Sequence, residues 1–219
     1  RVPSTFPEPG KTAASSFNVY RAYGVHNADF ALTVESQRPG RTLEAAWRGM
    51  LSIAEVEDRV EARCEVGVSG PAVFRLAFGI PAELEVQRVA GPGIREWSVR
   101  DNRLVVFAPE GLKGRNPVVI EGRIPARGLK PRRLPRLRLE GADATSGEWV
   151  VLADPSMRVE REGESEMRRI ALSNTFAWLA AEQRPFAKLA LAFEGETPSP
   201  ELTVRRLEPE VSVTAFANM

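Results

Sequence analysis

Val60-Glu61-Ala62-Arg63-Cys64-Glu65-Val66-Gly67-Val68 is the stretch on which the fold is decided. Its even positions are apolar and its odd positions mostly charged, the period-two pattern of a strand with one buried and one wet face. Downstream, Gly70-Pro71 turns the chain, and Phe74, Leu76, Phe78 and Ile80 are expected to line one face of the next strand until Pro81 stops it. A third strand is expected over Glu83–Val89, closed by Gly91-Pro92-Gly93. Upstream, Arg41–Leu51 breaks the pattern: Leu43, Ala46, Trp47 and Met50 recur at helical spacing, which by itself predicts a short helix.

The next piece reads as a hairpin. Ile94-Arg95-Glu96-Trp97-Ser98-Val99 and Leu104-Val105-Val106-Phe107 flank Arg100-Asp101-Asn102-Arg103. Asp and Asn tolerate the left-handed backbone that a two-residue loop requires. With Asp101-Asn102 as that loop, Val99 faces Leu104 and Trp97 faces Val106, and Trp97, like Trp149, is assigned to the core. Further strands are expected at Pro117–Ile124, Leu134–Leu139, Glu148–Ala153, Met157–Arg161, around Phe176, at Ala187–Phe193, Leu202–Leu207 and Val211–Phe216. With 17 prolines and 17 glycines spread through the chain, few stretches can sustain a helical period. The fold class is therefore all-β: an antiparallel β-sandwich with little or no helix, either one large module or two fused sandwiches.

Self-similarity adds a second level. Ala28-Asp29-Phe30-Ala31-Leu32-Thr33-Val34-Glu35 aligns with Ala187-Lys188-Leu189-Ala190-Leu191-Ala192-Phe193-Glu194, and Pro39 and Leu43 continue onto Pro198 and Leu202. Residues 174–211 thus resemble 17–52, the pattern of a tandem array in which neighbouring units bury each other's faces. The repeat also makes Arg41–Leu51 extended, because Leu202-Thr203-Val204 reads as strand. The expected organisation is an extended linker over 1–16, a sandwich over 17–125, a basic linker over 126–135 and a second β-rich part over 136–219. Over residues 55–125 the rhythm of apolar strand, Ile80-Pro81, strand, Gly-rich turn, Trp97 and hairpin resembles the β-sandwich modules of large bacterial envelope proteins. That resemblance implies an extracytoplasmic setting and brings no functional residue with it.

Composition narrows the chemistry. Thirty basic and 29 acidic residues exclude a uniformly basic nucleic-acid coat or an acidic tail. One cysteine excludes a disulfide framework, and one histidine argues against imidazole-centred catalysis. Cys64 falls on the apolar parity of its strand, as a buried inert thiol does. His26 lies in a turn sequence, with no Gly-x-Ser-x-Gly elbow anywhere in the chain. Five scattered aspartates make no calcium loop, and most glutamates, such as Glu61, Glu65, Glu83 and Glu85, take the wet parity of strands. No catalytic, cofactor or metal site is expected, and no cofactor; the one enzyme alternative is a glycosidase using two glutamates, which would require a cleft with paired carboxylates.

The one local charge concentration is Arg127-Gly128-Leu129-Lys130-Pro131-Arg132-Arg133-Leu134-Pro135-Arg136-Leu137-Arg138. The favoured reading is a linker whose arginines pair with surface glutamates; the functional alternative makes Arg127, Lys130, Arg132, Arg133, Arg136 and Arg138 a candidate docking patch for an anionic glycan, a lipid headgroup or an acidic partner. The expected function is a non-catalytic structural or interaction module, a fragment of a larger extracytoplasmic bacterial protein. Its partners would be adjacent repeats or other proteins, with no nucleic acid and no transmembrane segment. The alternative is a carbohydrate-binding or accessory domain of a secreted hydrolase.

Overall fold

The computed structural model describes residues 40–207, apart from 126, 127, 164 and 165. Twelve strands dominate these residues: β1 (Thr42–Ile53), β2 (Glu57–Gly79), β3 (Glu85–Ala90), β4 (Glu96–Arg100), β5 (Arg103–Pro125), β6 (Arg132–Arg133), β7 (Arg138–Leu139), β8 (Ala144–Ala153), β9 (Met157–Arg161), β10 (Arg168–Arg169), β11 (Ala187–Glu194) and β12 (Glu201–Arg206). A single helical turn, α1 (Leu172–Thr175), and a 3-10 segment (Ala181–Phe186) are the helical pieces. Nine strands form one sheet in the order β10-β11-β8-β1-β2-β5-β3, with β4 also on β5 and β7 also on β2; a three-stranded sheet runs β6-β12-β9. The all-β reading holds. Every pairing is antiparallel except β1 with β8, which is parallel and makes the large sheet mixed.

β1 is a strand along its whole length, not a helix. Leu43, Ala45, Trp47, Leu51 and Ile53 are buried on alternate positions, while Ala46 is exposed and Met50 half-buried. Helix propensity is a weak preference. Here it is overridden by two ladders, Thr42–Ser52 against β2 and Glu44–Ile53 against β8.

β2 and β5 are longer than their sequence suggests. Each runs 23 residues and pairs with the other on both sides of a bend. Gly70-Pro71 therefore turns the chain without ending the strand. Gly70 has φ +94° and Gly111, on β5, has φ +76°, a region that only glycine enters readily. The register slips between Val68 and Val73 and again between Val73 and Arg75, a bulge that reverses the local parity. Val73 consequently points into the core and Phe74 stands 58% exposed, so Phe74 leaves the buried row that Leu76, Phe78 and Ile80 keep.

Two glycine–tryptophan contacts join β1 to β8. Gly49 pairs with Trp149 and Trp47 with Gly147 in the parallel register. A Cβ on Gly49 would lie 2.4 Å from the Trp149 ring, and one on Gly147 would lie 2.6 Å from Trp47 Cβ and 2.8 Å from Phe193. Both indoles are fully buried in the core shared by the two sheets.

The strand expected around Phe176 is instead helical, α1 followed by turns and the 3-10 segment. Leu179, with half-buried Leu172, Phe176 and Trp178, covers Val150 and Leu152 on the outer face of β8. Apolar residues at 172, 176 and 179 suit that job because helical spacing puts them on one side. Residues 187–194, the downstream segment of the sequence alignment, are β11, a strand as expected. The segment aligned with it, residues 28–35, and the strand expected at Val211–Phe216 lie outside the described residues, as does the expected linker over 1–16.

Candidate functional site

The hairpin forms as its turn chemistry requires. Asp101 and Asn102 have φ of 50° and 59°, the doubly left-handed two-residue turn whose twist matches that of its strands. Val99 pairs with Leu104 and Trp97 with Val106. The burial of Trp97 does not follow: Val106 and Leu104 are buried, whereas Trp97 is 36% and Val99 43% exposed. Among the described residues β4 pairs with β5 alone, and all five of its residues are exposed. Same-side pairing places Trp97 next to a core residue, but nothing among the described residues closes over the edge strand itself.

The basic run separates into residues with different tasks. Arg127 lies outside the described residues. Arg132, on β6, is buried, and its Nε donates to Asp58 Oδ2 at 2.7 Å. Its Nη1 donates to the Lys130 carbonyl at 3.0 Å and its Nη2 to the Ala54 carbonyl at 3.2 Å, while Asp58 Oδ1 accepts the Ala54 N–H at 3.2 Å. This closed network fastens the β1–β2 turn to the connector, and it removes Arg132 from any surface patch. Lys130 is exposed. Arg133, Arg136 and Arg138 are exposed and converge on one cleft of about 360 Å³, with Glu83, Pro81 and Ser199 among its walls. Buried Leu134, Leu137 and Leu139 alternate beneath them and hold the segment down. Arg136 pairs with Glu196 at 3.0 Å, a surface contact worth roughly 0–1 kcal/mol.

Cys64 is fully buried between its strand neighbours, and burial, reinforced by the adjacent Glu65 carboxylate, pushes its thiol well above the ordinary range. A thiol in that setting is no nucleophile. Trp178 is held by its Nε1, which donates to Glu148 Oε2 at 3.1 Å, and Arg184 lies 5.2 Å over the Phe176 ring. Among the described residues no group of three His, Cys, Asp or Glu side chains is placed to hold a metal ion, and no helix is long and apolar enough to cross a membrane.

No protein-family model matches the chain, and no curated protein matches it. Among solved structures it is similar to a mutant M1 zinc metallopeptidase from Deinococcus radiodurans bound to a Tyr-Ser-Ala substrate, with 11% identity, 75% of this chain and 43% of that chain covered, and a TM-score of 0.46. A mutant of the M1 zinc metallopeptidase from the same organism gives 11% identity over 75% of this chain and 42% of that one, with a TM-score of 0.47. A two-domain M1 zinc metallopeptidase mutant bound to L-tryptophan gives 10% identity over 76% and 43%, with a TM-score of 0.48. The chain spans less than half the length of the structures it matches.

The sequence pointed to the basic run and assigned Trp97 to the core. The exposure of Trp97 and Val99, on a strand that among the described residues has β5 as its one partner, becomes visible only once sheet order is known.

Proposed function

We propose that this chain is a non-catalytic interaction module within a larger extracytoplasmic bacterial protein. The observation that carries this reading is β4. It is exposed throughout, pairs on one side only among the described residues, and displays Trp97 and Val99 between Glu96 and Arg100. Soluble sandwiches protect such edges with lysine, proline, bulges or a covering segment. An aromatic and a β-branched side chain on a rigid hairpin edge are what strand addition by a partner uses. The array reading, in which adjacent repeats are partners, has the strand at 187–194 in its support.

A photoreactive residue replacing Trp97 in the full chain, expressed in a bacterial envelope, tests the proposal. Discrete protein adducts are expected from position 97 and none from Arg63, an exposed residue on the charged outer face of β2. Equal adducts from both positions would overturn it, as would turnover of glycoside or peptide substrates by the purified chain.

A second reading rests on the cleft where Arg133, Arg136 and Arg138 meet. Three arginines lining one depression, with Arg136 also paired to Glu196, suit an anionic polymer, glycan included, as an accessory domain of a secreted hydrolase would bind it.

A further inference from the structure

Resting on the interaction-module reading, the geometry points to a second copy of this chain as the partner of β4. The two-residue turn makes Arg100 and Arg103 a hydrogen-bonded pair, so the backbone groups of Arg100, Ser98 and Glu96 are all directed at β5. The additional Arg95 N–H bond to the Phe107 carbonyl at 3.1 Å agrees with that alternation, as a bulge at the far end of the hairpin. The N–H and C=O groups of Trp97 and Val99 therefore point away from the sheet.

An incoming antiparallel strand must set its own outward-directed residues against these two. Glu96-Trp97-Ser98-Val99-Arg100 does so against itself, about a twofold axis at Ser98. Trp97 then lies opposite Val99 of the second copy and exchanges both backbone bonds with it. Ser98 meets Ser98, and Glu96 meets Arg100 on each side of the axis. The neighbouring registers that satisfy the backbone, with Trp97 against Trp97 or Val99 against Val99, leave Glu96 opposite Ser98 or Asn102. One register alone matches hydrogen bonds, the aromatic–β-branched contact and both charge pairs. The charges are available for this. Glu96 has no ion pair among the described residues, and Arg100 reaches only its neighbour Asp101, at 3.4 Å and with both side chains about 90% exposed.

Five residues a side make a small contact, so the dimer belongs with weak, transient interfaces. A dissociation constant on the order of micromolar to millimolar is expected.

Sedimentation equilibrium of the full chain, up to ~1 mM at low salt, tests this with a charge exchange. Wild type is expected to dimerise. Glu96→Arg and Arg100→Glu, each placing like charges face to face twice per dimer, should each weaken self-association by about tenfold or more. An equimolar mixture of the two single variants restores both pairs and should dimerise like wild type, as should the double variant. Both positions are exposed, so unchanged melting temperatures separate lost association from lost folding. A monomeric wild type, undiminished association of the single variants, or a mixture that fails to recover overturns the twofold pairing. If wild type is monomeric while position 97 still gives adducts to a different protein, the second copy is the wrong partner and the interaction reading stands. Absence of both removes the reading as well.

Discussion

Trp47 and Phe78 meet edge to face, their ring centroids 5.9 Å apart and their planes at 79°. Yet Trp47 sits across the ladder from Cys64, and Phe78 lies further along that same β2 strand. At ~3.3 Å per residue, a straight strand would carry residue 78 roughly 46 Å from residue 64. The contact exists because β2 folds back on itself at Gly70-Pro71, bringing its two halves face to face across the core. β5 follows the same bend through Gly111 and Gly114, so the pair stays hydrogen-bonded on both sides of it. One bent ribbon thereby supplies two layers of the sandwich.

The reciprocal glycine–tryptophan contacts should be intolerant of a methyl group. Gly49→Ala and Gly147→Ala each force an atom into a buried ring or its Cβ, and neither neighbour can swing into solvent. A loss of about 1–3 kcal/mol or more is expected for each in urea unfolding. Gly40→Ala, where a Cβ would meet nothing within 4 Å, is the control and should stay within about 0.5 kcal/mol of wild type.

Asp58 and Arg132 should behave as a buried unit. Arg132→Met strands the Asp58 carboxylate in a nearly dry site and should cost roughly 3–5 kcal/mol. Asp58→Asn should show a similar loss from the other side. Arg136→Ala, which removes the exposed contact with Glu196, should change stability by less than about 1 kcal/mol. Equal costs for Arg132→Met and Arg136→Ala would contradict the assigned roles.

Cys64 should react with thiol reagents only when the protein opens. In native buffer its labelling rate should equal the rate of global unfolding, and in denaturant it should label at once. The raised thiol also fixes a pH dependence. Its contribution to stability is complete below the ordinary value of 9.0 and is lost as pH rises beyond that toward the folded value. Fast native labelling at neutral pH would show that the strand is less buried than described.

Binding to polyglutamate or heparin at low salt separates docking arginines from structural ones. Arg133→Glu with Arg138→Glu should abolish any retention while leaving the melting temperature unchanged, because both side chains are exposed around the same cleft. Retention that survives this double reversal would remove the cleft as a binding surface.

By itself the sequence determined the strands and their local geometry. Alternation over Val60–Val68 marks a half-buried strand whatever it pairs with, since successive side chains must point to opposite faces. Asp101-Asn102 determines the hairpin register, because few residues other than glycine accept the left-handed backbone of that turn. Tertiary structure decided everything that depends on what lies beyond the strand. Leu43, Ala46, Trp47 and Met50 match a helix equally well, and only the ladders to β2 and β8 made that segment extended. The bulge at Val73 moved Phe74 to the surface, a one-residue slip that periodicity cannot anticipate. Arg132 looked like its neighbours until Asp58, far away in the chain, was folded against it. Trp97 read as core because its partner Val106 is core, but burial requires cover from a second layer, and among the described residues sheet order leaves β4 paired on one side only. Local sequence sets which way a side chain points; the long-range packing of other elements sets whether anything is there to meet it.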